Sequence, residues 1–321
     1  MVISVAIPCY RSEKNLETVV NEIRGVFAQR TEYDYQIILV CDGSPDHTDE
    51  VIRKLCAEDR KITGVLLSRN YSQSNARMAA LKYVRGDVLV CMDDDGQHPA
   101  EDIFRLAEKV MEGYDAVYAD FDHKEQTCFK IWTSDLFSWI AGKIGRRPRG
   151  IRTSSFMAYS RFAVDELKAY TSPTPTAIGY LSTVTNRFAN IRSTQRKRLS
   201  GKSGYNLYRM ISLALTGITN FTIVPLRMID AAGFVSAMLG LIWGIVLVIR
   251  KLCFAAVVPG YTSNMVVMLV LGGLILVSLG LVGEYVGRIY MLLSNKPQYV
   301  IREEINVPDD RVPTGKDRSA H

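Results

Sequence analysis

Residues 88–99, VLVCMDDDGQHP, set an apolar run directly against three aspartates. Val88 to Met92 suits a short buried strand, although periodicity alone does not separate so short a run from helix. The run ends in Asp93, Asp94 and Asp95. Successive carboxylates repel one another, so at the end of a buried strand they need a solvated rim or a cation. A hard divalent ion such as Mg²⁺ or Mn²⁺ takes carboxylate oxygens and shares its remaining positions with phosphate oxygens. In an open parallel sheet, ligands bind beyond the carboxyl ends of the strands. Asp runs are more often plain acidic surface turns; here the strand in front and the company of other strand ends shift the balance.

That company appears on either side. Residues 2–7 read as a strand stopping at Pro8, and Ser12 is placed to cap a helix carrying Leu16, Val19, Val20, Ile23, Val26 and Phe27 at helical spacing. Gln36–Val40 reads as a second strand running into Cys41-Asp42-Gly43-Ser44, followed by a short helix with Val51, Ile52 and Leu55 on one face. Ile62–Leu67 is a third strand ending in Ser68-Arg69-Asn70, and a helix over roughly 75–84 leads back to Val88. Beyond Pro99, Glu101–Met111 reads as helix, Asp115–Ala119 as a fifth strand and Ser155–Ser160 as strand-like. This alternation predicts a parallel sheet with covering helices. In such a sheet Pro8-Cys9-Tyr10, Asp42-Gly43-Ser44, Arg69-Asn70 and the Asp triplet lie along one edge.

The chain has 321 residues, enough for more than one structural unit, with 48% hydrophobic residues and a net charge of +6. Its six cysteines (Cys9, Cys41, Cys56, Cys91, Cys128, Cys253) show neither CxxC pairs nor zinc spacing, and read as buried reduced thiols of a cytosolic catalytic part. MVISVAIPCY has no charged n-region or cleavage site, so no signal peptide is expected. Between 120 and 200 the pattern is less legible. Phe129–Ile144 suits an amphipathic helix, and basic clusters stand at Arg146, Arg147, Arg149, Arg152 and at Arg192, Arg196, Lys197, Arg198, Lys202. Such clusters are usually solvated faces. These border apolar segments, so phosphate or anionic headgroups, and no nucleic acid, are the expected partners.

Ala231–Ile249 is nineteen uncharged residues and Met265–Val282 eighteen strongly apolar ones. Each can cross or nearly cross a hydrocarbon core of roughly 30 Å at about 1.5 Å per residue. Arg227, Arg250, Lys251 and Arg288 do not settle orientation by charge counting. A leaderless N-terminal domain staying in the cytosol sets the topology instead, and the hairpin returns the C-terminus to the same side. The expected layout is a cytosolic domain over 1–204, an interfacial amphipathic region over 205–226, two transmembrane helices within 227–285 (about 229–250 and 264–284), and a cytosolic tail over 286–321.

With these pieces placed, the chain resembles family 2 glycosyltransferases, and within them the polyprenyl-phosphate branch. The resemblance rests on IPCYRSE at 7–13, DGSPDHT at 42–48, SRNYSQSNARMAAL at 68–81, DDDGQHPAED at 93–102, FMAYSR at 156–161, and PLRM with LVGEYVGRIY at 281–290. It implies a Rossmann-like, glycosyltransferase A-type α/β domain with a membrane hairpin. It also implies a nucleotide-sugar donor, UDP-linked by analogy, and an undecaprenyl or related phosphate acceptor. Pro8, Tyr10, Glu13 and Asp42 fall where the family contacts base and ribose. Asp93 and Asp95 fall on the DxD motif, with Asp95 and Gln97 as direct ligands of Mg²⁺ or Mn²⁺ and Asp94 at the variable middle position of the donor site. Arg198 and Gly201 match the Arg-x-x-Gly segment, with Arg198 gripping a phosphate and Lys202 supplying a neighbouring cation. A homo-oligomer, by analogy a tetramer, completes the picture.

The departures from the pattern carry information. Cys41 replaces the first of two usual acids, Ser72 and Gln73 stand where Gly and often Lys or Gln occur, and Ser203-Gly204-Tyr205 replaces Ser-Lys-Tyr. Gly150-Ile151-Arg152-Thr153 lacks the acid often placed before the FMAYSR strand. A hydroxyl acceptor would need that base. A phosphate monoester, with a second pKa near 6, is already an oxyanion at pH 7 and needs none. The expected activity is therefore inverting sugar transfer to polyprenyl phosphate at the cytosolic membrane face. Three rivals stand beside it. A processive polysaccharide synthase is disfavoured by Leu199 in place of the Trp of QxxRW, and a DxD-nucleophile phosphatase by Gly96. A catalytically silent nucleotide-sugar-binding or scaffold protein draws support from Cys41 and Ile151.

Overall fold

The computed structural model describes residues 1–121, 150–173, 175–196, 224–253, 261–294 and 296–307. The chain divides into two units, Met1–Tyr205 with Pro297–His321, and Asn206–Lys296.

In the first unit β1 (Val2–Cys9), β2 (Asp34–Cys41), β3 (Ile62–Leu67) and β4 (Val88–Cys91) alternate with α1 (Leu16–Ala28), α2 (Thr48–Glu58) and α3 (Gln73–Leu81). Then come α4 (Asp102–Met111), β5 (Ala116–Phe121), β6 (Met157–Ser160), α5 (Arg161–Ala169), α6 (Ala177–Val184), β7 (Phe188–Ser193) and, after the second unit, β8 (Ile301–Ile305). The eight strands form one sheet in the order β7-β5-β6-β4-β1-β2-β3-β8. Both faces are covered, which explains why the central strands read as continuous apolar runs. Ile3, Val5 and Ile7 of β1 pack with α1, α2 and α4 on one face, and Ala6 packs with α3 and α5 on the other.

Three expectations from the sequence need correction. The sheet is mixed: β6 runs antiparallel between β4 and β5, and β8 runs antiparallel to β3. A short apolar run carries no signal of direction, which is decided by how the chain returns to it. Within 286–321, read as a tail, residues 301–305 are that β8 strand. Ser12 is not the cap of α1. Its carbonyl accepts the N–H groups of Asn15 and Leu16, while its hydroxyl donates to Asp94, a half-buried carboxylate.

β1 pairs with β2 on one side and β4 on the other, so the chain's direction of travel across the sheet reverses at β1. In doubly wound sheets this switch point opens a crevice beyond the strand ends.

The described residues of the second unit include α7 (Val224–Cys253) and α8 (Tyr261–Leu293), which pack against each other. Many large apolar side chains stand exposed, among them Phe234, Leu239, Trp243, Leu276 and Leu279. Among the described residues one stretch, Val270–Met291, is long and apolar enough to cross a membrane, and Gly233–Val246 is a shorter apolar stretch. The amphipathic helix expected over 129–144, most of the region 205–226, Arg146, Arg147, Arg149, Arg198, Gly201 and Lys202 lie outside the described residues.

Candidate active site

The three aspartates avoid mutual repulsion by turning to different partners. Asp94, half-buried, turns inward: its Oδ2 accepts the Ser12 hydroxyl and, at 3.3 Å, the backbone N–H of Tyr10. Burial pushes its carboxyl up to about 6, against the pull of those hydrogen bonds. Asp93 turns to α3, where its Oδ1 accepts from Gln73 Nε2 at 2.7 Å and from the Arg77 guanidinium at 2.8 Å. Asp95 Oδ1 accepts the backbone N–H of Gln97 at 3.1 Å. Gln97 in turn holds the segment after β7, its carbonyl accepting the Arg196 N–H at 2.9 Å and its side-chain amide donating to the Arg196 carbonyl at 3.3 Å.

A residue that motif reading passed over fixes this turn. His98 is buried, stacked between Phe121 (5.7 Å) and Phe156 (4.8 Å). Its Nδ1 accepts the backbone N–H of Asp93 at 3.0 Å, which leaves the proton of the neutral ring on Nε2, 3.4 Å from the Ser155 hydroxyl. Burial lowers its pKa, so the ring stays neutral and the acceptor role is kept.

Beyond the ends of the first four strands lies a cleft of about 260 Å³ lined by Pro8, Cys9, Tyr10, Asp42, Asn70, Ser72, Gln73 and Asp94. The loop after β2 packs on the loop after β3. Gly43 adopts φ +58°, and a Cβ there would lie 2.6 Å from Arg69 Cα and 2.5 Å from Asn70 N. Asp42 accepts the N–H of Tyr71 at 2.6 Å, while the Ser72 N–H donates to Asn70 Oδ1 at 3.2 Å; burial nevertheless raises the Asp42 pKa. Ser72 adopts φ +88°, ψ 152°, a conformation suited to glycine.

Asp46 knits the other wall, and it too escaped motif reading. Its carboxylate accepts from the Ser44 hydroxyl (2.5 Å), the Thr48 hydroxyl (2.6 Å) and the backbone N–H of Glu13 (3.3 Å). Ser44 Oγ also accepts the Arg11 N–H at 2.8 Å, which joins the loop bearing Tyr10 to the loop bearing Asp42. Such a hub of hydroxyls and amides around one acid is visible only once the two loops meet.

The structure thus gathers Pro8, Tyr10, Asp42 and Asp94 in one cleft, with Asp93 tied to its Gln73 wall. Glu13 is not among the lining residues, and its Oε2 accepts the His47 N–H at 3.3 Å. Cys41, standing where an acid is usual, is a buried thiol with its pKa raised by burial, and brings no charge. Of the basic residues, Arg196 is committed to Glu22 (2.6 Å) and Glu101 (2.9 Å), and Arg152 stands 3.5 Å from Asp120. Among the described residues no three or more His, Cys, Asp or Glu side chains form a ready-made metal cage.

An open mixed sheet with a switch-point cleft and an acid turn at its rim defines a nucleotide-sugar-type α/β domain, and sequence comparison agrees. Residues 4–168 match the Glycosyl transferase family 2 model and residues 224–289 the GtrB C-terminal hairpin, so the chain belongs to glycosyl transferase family 2 and is a glycosyltransferase. It is similar to the SfII prophage-derived bactoprenol glucosyl transferase of Shigella flexneri, with 31% identity covering 94% of this chain and 98% of that protein. It is equally similar to the undecaprenyl-phosphate 4-deoxy-4-formamido-L-arabinose transferase of Pseudomonas fluorescens, with 31% identity covering 94% and 89%. Among solved structures, the UDP complex of glucosyl-3-phosphoglycerate synthase from Mycobacterium tuberculosis shares the fold. Its TM-score is 0.50 at 18% identity, over 68% of this chain and 80% of that one.

Proposed function

We propose that this glycosyltransferase moves a sugar from a nucleotide-diphosphate donor, UDP-linked in the first instance, to a polyprenyl phosphate at the cytosolic membrane face. The observation that carries the donor half is the cleft at the switch point, walled by loops from four consecutive parallel strands. The acceptor half is supported by the relatives' names and by the apolar hairpin, which in this reading crosses the membrane twice.

The nucleoside lies along Pro8–Tyr10, Asp42 and Asn70–Gln73, and the diphosphate reaches the acid turn. The donor atoms there suit a hard cation: Asp93 and Asp95 offer carboxylate oxygens and Gln97 an amide, too few for a cage but enough when phosphate oxygens complete the shell. A bound Mg²⁺ or Mn²⁺ supplies neutralisation of the charge that grows on the leaving diphosphate. The protein's own contribution is placement. Arg77 and Gln73 hold Asp93 at the cleft wall, and His98 holds the turn's backbone, so the acids need no rearrangement when the donor arrives. An oxygen of the acceptor phosphate attacks the anomeric carbon opposite the leaving group, one bond forming as the other breaks, and the configuration inverts. No proton need be removed, because the phosphate is already ionised at pH 7. Arg198 and Lys202 would hold it.

The test is sugar transfer by the purified full-length protein with Mn²⁺ or Mg²⁺, labelled nucleotide sugars and undecaprenyl phosphate. Formation of a lipid-linked sugar that requires the phosphate group supports the reading. Absence of product with every common UDP and GDP sugar refutes it.

A further inference from the structure

The segment after α8 is more than a return path. Residues 294–297 separate the end of α8 from a strap, Gln298–Val307, bound to elements as many as 250 positions away in sequence. Asn306, at φ +54°, donates its side-chain amide to the carbonyls of Cys56 (2.5 Å) and Ile62 (3.0 Å). Glu303 pairs with Arg53 at 2.9 Å, Glu304 accepts the Tyr83 hydroxyl, and Gln298 donates to the Ser172 carbonyl at 2.7 Å. The β3–β8 register slips between Leu66 and Leu67, just before the chain leaves β3 for the cleft. Such irregularities bend a strand and re-aim the residues beyond them.

Here those residues are the loop Ser68–Tyr71, and Val300 holds it. The Val300 carbonyl accepts the Ser68 N–H at 2.9 Å, and the Ser68 hydroxyl meets the Tyr71 hydroxyl at 3.1 Å. The other end of Tyr71, its backbone N–H, is bound by Asp42, and Asn70 and Ser72 on either side line the cleft. The Ser68–Tyr71 loop is therefore clasped between Asp42 and the Val300 backbone.

We propose that this strap positions a wall of the donor site, with the Val300 backbone as the positioning group for the loop Ser68–Tyr71; the inference rests on the proposed donor reading of the cleft. A strand that only covered the β3 edge would add stability and protect against edge pairing without affecting nucleotide affinity. A strap that positions the loop changes donor affinity, because an unclasped loop must be ordered at the moment of binding.

The experiment measures UDP and, separately, GDP binding with MnCl₂ by calorimetry on the full-length protein in detergent, alongside transfer kinetics and melting temperature. Ser68→Pro removes the N–H that the Val300 carbonyl accepts, and Tyr71→Phe removes the hydroxyl that meets Ser68 with the backbone untouched. Loss of one or two hydrogen bonds that order the loop predicts nucleotide affinity weaker by about 5- to 30-fold, with KM for the donor rising more than kcat falls. Glu112→Ala, which breaks only the exposed pair with Lys109 at the end of α4, keeps wild-type affinity. Wild-type affinity in both Ser68→Pro and Tyr71→Phe, or loss confined to kcat, overturns the proposal. If Ser68→Pro does not fold, Tyr71→Phe decides. A wild-type protein that binds neither nucleotide overturns the donor reading itself, and this inference with it.

Discussion

Replacing Gly43 by Ala tests the packing of the two loops that wall the cleft. The substitution has two costs. An L-residue at φ +58° loses about 1–2 kcal/mol relative to glycine. The added Cβ also falls inside contact distance of Arg69 Cα, Arg69 C and Asn70 N, all backbone atoms that cannot rotate away. Forcing an atom into packed structure adds about 1–3 kcal/mol. The sum is about 2–5 kcal/mol, and the strain falls on the loop that donates to Asp42. Gly113→Ala is the matched control: at φ +104° its Cβ meets nothing within 4 Å, so the backbone cost alone applies. Melting of both full-length variants, with UDP titration in the presence of Mn²⁺, separates the contributions. Gly43→Ala should melt lower than Gly113→Ala, and it alone should lose nucleotide affinity. Equal melting temperatures with unchanged UDP binding would refute the reasoning that these loops form one rigid wall.

Three further outcomes are expected. Asp95→Ala should leave the fold intact and reduce kcat/KM by about 10²–10³-fold, as removal of a group that stabilises leaving-group charge does, and chelation of divalent ions by EDTA should abolish wild-type transfer; transfer kinetics check both. Asp94, held near 6 in the folded chain and at 3.8 as a free side chain, binds its proton more tightly when folded, so its contribution favours the fold increasingly as pH falls from 7 through 6 and is complete near 4. Asp94→Asn should flatten this part of the pH–melting curve by up to about 3 kcal/mol, and an unaltered slope would remove Asp94 from the account. Ser72→Gly releases a backbone strained at φ +88° and should raise stability by about 1 kcal/mol, read as a higher melting temperature.

The parallel strands β1 to β4 were legible because each is a short apolar run ending in polar residues, and burial on both faces enforces that pattern. The edge on which Pro8–Tyr10, Asp42 and the acid turn gather came from β-α alternation alone. Glu13 illustrates the limit. Its position in IPCYRSE points to the donor, and only the fold shows that its carboxylate also meets the His47 N–H, because a loop's rotation is set by whatever amides stand opposite. Arg196 shows the same: within a basic stretch it suggests an anion site, but Glu22 and Glu101, distant in sequence, already satisfy it.

The amino-acid order by itself determined where the strands fall, which strand ends carry acids, and where the apolar hairpin lies, since these depend on local periodicity and on runs of hydrophobic residues. Only the tertiary structure decided the division of labour in VLVCMDDDGQHP. Asp94 is the tie to Ser12 and Tyr10, Asp93 is held by Arg77 and Gln73, and His98 fixes the turn from between two phenylalanines. It also decided that residues 301–305 close the sheet beside β3. Each of these depends on partners tens to hundreds of residues away. A carboxylate's role depends on its burial and on the donors that face it, which folding brings together and no local pattern records.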